Sequence, residues 1–559
     1  MAATTEIAIN LFGTRLATWA FATLTIFVFI KIALGRSLRK QVPPNPKGWP
    51  VLGNLPEVMQ AGGLLHKTMI KWAREEGDIM RIVLGPKTEY LINSDRACQI
   101  IFNTNAAHSS ERPFWLVGQK YITNYSSMDL LDASHPRWKL QRKIAAQNLT
   151  SPQRIDAGLP FLYHETLKFI HQIAHDPNAG TEKQTGLFDS IGRYVYSTFC
   201  SQLFGLEVST NDSEASHYIF ESAIHEITST ISGFYLVDIF TWLDYLPLSC
   251  RPWAKHGMWR YNRDVEFVGE RLEHAKKLVE SGSAPDSFMT RVLIEKDKSG
   301  ASHSDAAYVA LKLIAAASDT SRVSTWTFIE QMMMNPGIQE KARKIIDEAV
   351  GDRLPVWEDA ERIPYVRYLM KEVWRTRPPV GNGLGHRTTK DIAYGDYVIP
   401  AGSTVRPNIW AIGRDPKRHP DPDKFEPERW EGDNLSPQQS ANLPDATQRD
   451  HFAFGVGRRF CPGVQVAERS FAVAIMRIIW ALEIGIRPGT KLPVNPDDYA
   501  EKTLPGVPGP RLPVSLVVRK EKANLVDQAW QREMADWQIY GNMDLEDIKD
   551  ILEANGQDN

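Results

Sequence analysis

The sequence is poor in cysteine. Its 559 residues hold four, Cys98, Cys200, Cys250 and Cys461, widely spaced and without a CxxC pair. That excludes a disulfide scaffold or a structural zinc ribbon as the source of stability, and suits a reducing compartment with most thiols buried as small apolar side chains. An excess of one charge is missing too: 65 Lys+Arg face 67 Asp+Glu, a net charge of −2, so nothing directs the chain to nucleic acid. No internal repeat, low-complexity tract or Gly/Ser-rich linker divides residues 45–520. One large body is expected, in place of a string of modules.

One long apolar run is present. Residues 16–34 read LATWAFATLTIFVFIKIAL, interrupted by Lys31 and a few small polar residues. At about 1.5 Å per residue this nearly crosses a bilayer core of about 30 Å, and Lys31 is close enough to one end to snorkel. Arg36, Arg39 and Lys40 follow at once, so the positive-inside rule puts the rest of the chain in the cytosol. Residues 1–41 read as a signal anchor. A cleaved signal peptide fits less well, because the run is long and its basic flank is C-terminal. Residues 43–54, PPNPKGWPVLGN, are expected to form a stiff extended spacer, since proline fixes φ and removes donors.

Residues 78–93 read as a strand, a Gly-Pro turn and a second strand. Helical spacing dominates from there to about residue 375. The longest helix is expected over 304–334, stopped by Asn335-Pro336, and another over 366–375 ahead of Pro378-Pro379. Short strands are expected at 392–399 and 404–408, and an apolar helix at 470–482.

Cys461 is set apart by its surroundings, FAFGVGRRFCPGVQVAERSFAVAIM. Gly455, Gly457 and Gly463 allow close backbone approach to a flat ligand, and an apolar helix begins a few residues on. A cysteine ahead of a helix has its thiolate stabilised by free N–H groups, and Arg459 adds positive charge for the thiolate or for an anionic group on a cofactor. Haem iron ligated by thiolate uses such an arrangement. This stretch resembles the haem loop of the cytochrome P450 family, FxxGxRxCxG, at Phe454, Gly457, Arg459, Cys461 and Gly463.

Further motifs of that family follow in the expected order. Glu372-Val-Trp-Arg375 resembles its ExxR, and Phe425-Glu-Pro-Glu-Arg429-Trp its PERF-type segment. The resemblance implies that Glu372, Arg375 and Arg429 form a buried network bracing the haem loop. Ala316-Ala317-Ser318-Asp319-Thr320-Ser321 resembles the dioxygen-pocket motif, with Ala317 where a glycine is usual. There Asp319 and Thr320 would be the catalytic acid and hydroxyl. Trp138 and Arg142 fit WxxxR at the haem edge, and His386 resembles the propionate-binding histidine, with Gly385 in place of a proline.

The implied fold is mainly α with a minor β portion, the cytochrome P450 fold, preceded by a single N-terminal transmembrane helix. The implied division is an anchor at 1–41, a catalytic domain at 42–520 and an acidic, helical tail at 521–559, in which Trp530, Met534 and Trp537 have helical spacing. Cys461 would be the axial ligand of haem b iron, with Trp138, Arg142, His386, Phe454, Gly457, Arg459 and Gly463 also at the cofactor. No flavin- or NADPH-binding pattern follows residue 520. Electrons are therefore expected from NADPH through a separate cytochrome P450 reductase, docking on Lys139, Arg142, Lys143, Arg458 and Arg459. The reaction would insert one oxygen atom of O2 into an apolar small molecule. Phe114, Trp115, Tyr121, Tyr125, Phe234, Tyr235 and Trp242 suggest a polycyclic or aromatic one. The same haem could instead desaturate, epoxidise, couple rings or rearrange; a non-catalytic haem sensor would not need Asp319 and Thr320. The pattern is most similar to fungal secondary-metabolism members, and the expected location is the endoplasmic reticulum membrane, catalytic domain on the cytosolic face.

Overall fold

The computed structural model describes residues 42–229, 235–294, 302–493, 495–499, 509 and 511–545. The expected anchor at residues 1–41 and Phe234 lie outside them. Among the described residues no helix is long and apolar enough to cross a membrane.

The strands are β1 (Ile79–Leu84), β2 (Lys87–Ile92), β3 (His386–Arg387), β4 (Ile392–Tyr394), β5 (Tyr397–Ile399), β6 (Thr404–Pro407), β7 (Leu482–Ile486) and β8 (Val514–Val518). β1 and β2 make the expected hairpin, but it is not isolated. β2 pairs in parallel with β6, and β6 antiparallel with β3, giving the sheet order β1-β2-β6-β3. Pairing across more than 300 residues leaves no mark on local periodicity, so it could not be read from the sequence.

The helices that build the site are α1 (Pro136–Leu149), α2 (Leu159–Ala174), α3 (Leu187–Phe204), α4 (Pro252–Glu280), α5 (His303–Met334), α6 (Pro364–Thr376), α7 (Val464–Ala481) and α8 (Ala523–Asp536). α5 starts at a capping box: Ser302 Oγ accepts from the Asp305 amide at 3.0 Å, and Asp305 Oδ2 accepts from the Ser302 amide at 3.4 Å. It stops at Asn335 because Pro336 has no N–H to continue it. α5 is buried on most of its circumference and crosses the middle of the molecule. Side chains of α2, α3, α5, α6 and α7 share one apolar core, with a second core between α4 and the N-terminal half of α5.

Residues 43–54 form no helix or sheet strand, but they are not a free spacer. Asn54 ties the segment down, its Nδ2 donating to the Pro46 and Lys47 carbonyls and its Oδ1 accepting from the Val83 amide at 3.1 Å. The described part of the tail, to Leu545, is docked as well. Trp537 stacks on His164 at 3.9 Å and donates to Glu207 Oε1 at 2.8 Å, and Arg271 Nε donates to the Met543 carbonyl at 2.8 Å.

Candidate functional site

The cysteine loop is shaped by two close backbone approaches. Gly457 has φ +63°, and a β-carbon there would meet the Phe102 carbonyl oxygen at 2.2 Å, so only glycine fits. The Cys461 amide donates to the Phe454 carbonyl at 2.9 Å, which closes the loop two residues ahead of α7. Burial pushes the Cys461 thiol up, while the Gly463 amide and the Arg142 guanidinium oppose it. The helix-end stabilisation expected from the sequence is thus present, through the Gly463 amide, but outweighed by desolvation.

Cys461 lines an internal cavity of about 330 Å³. Around it stand Arg112, Trp138, Arg142, His386 and Arg459, with Asp129 the one carboxylate on the wall among the described residues. Arg142 Nη2 donates to the Phe460 carbonyl at 3.2 Å. Arg459 lies over the Trp138 ring at 4.8 Å, and its three nitrogens donate to the Ser110, Met128 and Leu131 carbonyls. That guanidinium pins the 110–131 loop to the cysteine loop. His386 Nδ1 contacts the Ser109 carbonyl at 2.8 Å, so this nitrogen carries the proton and Nε2 is left as the other ring nitrogen.

Arg112 was not singled out from the sequence, where it has no motif. It donates from Nε to the Asp129 carbonyl and from Nη1 to the Gly385 carbonyl, both at 2.7 Å. Gly385 itself is explained by crowding: a β-carbon would lie 3.2 Å from both Pro113 and Trp115. Burial holds Arg112 and His386 well below their ordinary values, and the neighbouring arginines lower both further. Burial likewise lowers Arg142, and it pushes Arg459 down to about 10. Cations that depress one another around a cavity are relieved by an anion placed among them. The charge pattern therefore calls for an anionic occupant, and the loop glycines for one that the backbone can approach closely.

Thr320 and Ala317 are on the same cavity wall. The Thr320 hydroxyl donates to the Ala316 carbonyl at 2.8 Å, and α5 runs through Ala317 without a break. Asp319 is not on the wall. It is buried behind it, accepting from Arg322 Nη2 at 2.7 Å.

Glu372, Arg375 and Arg429 do meet. Arg375 donates to both Glu372 oxygens at 2.7 and 2.8 Å, and Arg429 Nε donates to Oε1 at 3.0 Å. The Glu426 amide and Trp430 Nε1 complete the carboxylate at 2.8 and 3.0 Å; the indole donor was not foreseen. Arg375 also binds the Gly413, Pro422 and Lys424 carbonyls. α6 reaches the cysteine loop through Trp374, whose ring meets Phe454 edge-on at 4.9 Å.

Other expectations need correction. Arg142 and Arg459 turn inward to the cavity, so of the proposed basic docking set only Lys139, Lys143 and Arg458 are exposed. Trp115 and Tyr121 are buried, Tyr121 donating to Asp244, while Phe114, Tyr125 and Trp242 are exposed; none of these, nor Tyr235, lines the cavity. Trp115 and Tyr121 are used in the core, with Tyr235 packed against the Tyr121 cluster. The apolar wall instead comes from residues such as Phe199, Leu203, Leu313, Val380 and Ile409.

Comparison with known proteins agrees with this geometry. The family model "Cytochrome P450" matches residues 43–505. A "Cytochrome P450 monooxygenase" of Gibberella fujikuroi is 47% identical over 516 residues, covering 90% of this chain and 94% of that protein. The monooxygenase virE of Hypocrea virens is 29% identical, covering 83% of each chain, and yanC of Aspergillus niger is 29% identical, covering 79% of this chain and 82% of its own. With a thiol, a cationic rim and a hydroxyl on one cavity and a family match across most of its length, the chain belongs to the cytochrome P450 family and is a monooxygenase.

Proposed function

We propose that the chain is a membrane-anchored enzyme that inserts one oxygen atom of O2 into an apolar small molecule in a fungal secondary-metabolite pathway. The observation that carries this reading is the shared cavity: Cys461 and Thr320 both line it, with mainly apolar residues filling the rest of the wall. Fungal origin is suggested by the relatives, and the anchor by the apolar run at 16–34 with its basic flank. The endoplasmic reticulum membrane is the compartment this topology suits.

Haem b, the cofactor of the family, fits the donor set: a thiol for the iron, and Arg112, Arg142, His386 and Trp138 for two carboxylates. When bound it supplies an iron centre that activates dioxygen, with electrons from NAD(P)H delivered by a separate reductase. The protein's own part is positional. Cys461 would hold the iron, and the arginines would hold the carboxylates. Thr320 would hold a proton-donating hydroxyl on the cavity wall, with Asp319 as the acid behind it, kept in place by Arg322. Leu313, Ala316 and Ala317 exclude water and leave room for an apolar substrate.

Three experiments test this reading. Apolar polycyclic candidates are expected to shift the haem spectrum to high spin and to be oxidised in the reconstituted reductase system. Thr320→Ala should keep haem and substrate binding, yet lower product formed per NADPH by about 10²-fold, the scale of a lost proton donor. Unchanged coupling would remove Thr320 from the mechanism. Arg112→Ala should speed haem transfer to apomyoglobin by about 10- to 100-fold, as expected for a lost charge-assisted hydrogen bond. Arg112→Lys should recover only part of this, because the fork is lost while the charge stays. Wild-type transfer rates in both variants would exclude a role for Arg112 at the cofactor.

A further inference from the structure

Away from the cavity, α2 and the tail helix α8 meet along one edge, and three ligand-type side chains converge where that contact reaches the surface. The Nε2 atoms of His171 and His175 lie 3.8 and 3.7 Å from the same atom, Asp527 Oδ1. The two histidines are four residues apart, His175 occupying the C-cap of α2, so they share one helical face, with ring centroids 4.2 Å apart.

Both histidines are held in a ligating posture by something else. His175 Nδ1 contacts the His171 carbonyl at 3.0 Å, which places its proton on Nδ1 and leaves the Nε2 lone pair turned to Asp527. His171 is stacked on Trp530, one turn beyond Asp527 in α8, at 4.8 Å and 19°. Asp527 Oδ1 is shut off from solvent and accepts no hydrogen bond among the described residues. A carboxylate oxygen in that state is a cost to the fold unless a cation meets it. The buried cluster His164, Glu165 and Glu207 differs on this point, because Lys168 and Arg193 already satisfy its acids.

We propose that His171, His175 and Asp527 form a binding site for a borderline divalent metal, Zn2+ in the first instance, which staples the tail helix to α2. Two imidazole nitrogens and one carboxylate oxygen are a zinc donor set, with water as the fourth ligand. Tetrahedral zinc at about 2.0–2.1 Å from each ligand needs ligand atoms about 3.4 Å apart. The two His–Asp spacings exceed that by a few tenths of an ångström and all three ligand atoms lie within 4.8 Å of one another, and the side chains of His175 and Asp527 are exposed enough to close the set. The site is independent of the haem cavity.

The test uses the full-length, haem-loaded enzyme after treatment with EDTA. Zn2+ is titrated against a chromophoric chelator, and amide hydrogen exchange is followed across residues 523–536. One equivalent of zinc per chain is expected, with slowed exchange in the tail helix. His175→Ala and Asp527→Asn should each weaken zinc binding at least tenfold and abolish the slowing. Their carbon-monoxide spectra should stay as in wild type, which establishes that they are folded. Equal zinc affinity in wild type and both variants would overturn the proposal, as would wild-type binding seen only at millimolar zinc.

Discussion

Replacing Glu372 by alanine is expected to leave almost no haem-loaded enzyme. The carboxylate is fully buried and accepts from Arg375, Arg429, Trp430 and the Glu426 amide. Removing it leaves the buried Arg375 guanidinium without its carboxylate and the Trp430 indole N–H without its acceptor, while Arg429 keeps Glu426 at 3.6 Å. Breaking a buried ion pair from one side costs about 3–5 kcal/mol, a large share of the stability of an ordinary domain. The damage would be directed as well as large. Arg375 gathers the Gly413, Pro422 and Lys424 carbonyls, and Trp374 on the same helix supports Phe454 in the cysteine loop. The measurements are haem per chain in purified protein and the melting temperature. Full haem content with an unchanged melting temperature would mean that the network is not the brace described here. Arg375→Ala should have an effect of the same order.

Much of this was legible in the sequence, for identifiable reasons. α5 is readable because Pro336 marks its end, and α6 because Pro378-Pro379 follows it; the starts, set by the Ser302 capping box and Pro364, lie one and two residues ahead of those expected. The loop motif is readable because its glycines answer a backbone requirement, as the contact between Gly457 and the Phe102 carbonyl makes plain. What was not legible depends on pairs distant in sequence. Arg112 meets the site through Gly385, 273 residues away, and the parallel pairing of β2 with β6 has the same character. Aromatic residues near the covering loop misled, since Trp115 and Tyr121 are core residues and the cavity wall is built from helices further on. Asp319 was rightly placed on α5, but sequence spacing could not tell that it would be turned from the cavity toward Arg322. The docking of the tail through Trp537 on His164 was likewise hidden, beyond the helical spacing that suggested packing.

The second large effect belongs to Cys461. Its thiol is half-buried on the cavity wall, and desolvation pushes it toward the neutral form against the Gly463 amide and Arg142, which do not by themselves keep a thiolate there. A metal can, because coordination removes the proton outright. Cys461→Ala deletes one side chain from the cavity wall and leaves the Arg112, Arg142 and His386 rim intact. The variant should therefore still take up some haem, held by its carboxylates, while monooxygenase turnover falls to background. The most direct measurement is the difference spectrum of the reduced, carbon-monoxide-bound protein. The wild type is expected to have the red-shifted Soret band of thiolate-ligated haem, and Cys461→Ala to lack it. A wild type without that band, or a Cys461→Ala variant that retains it, would contradict the assignment of Cys461 as the iron ligand.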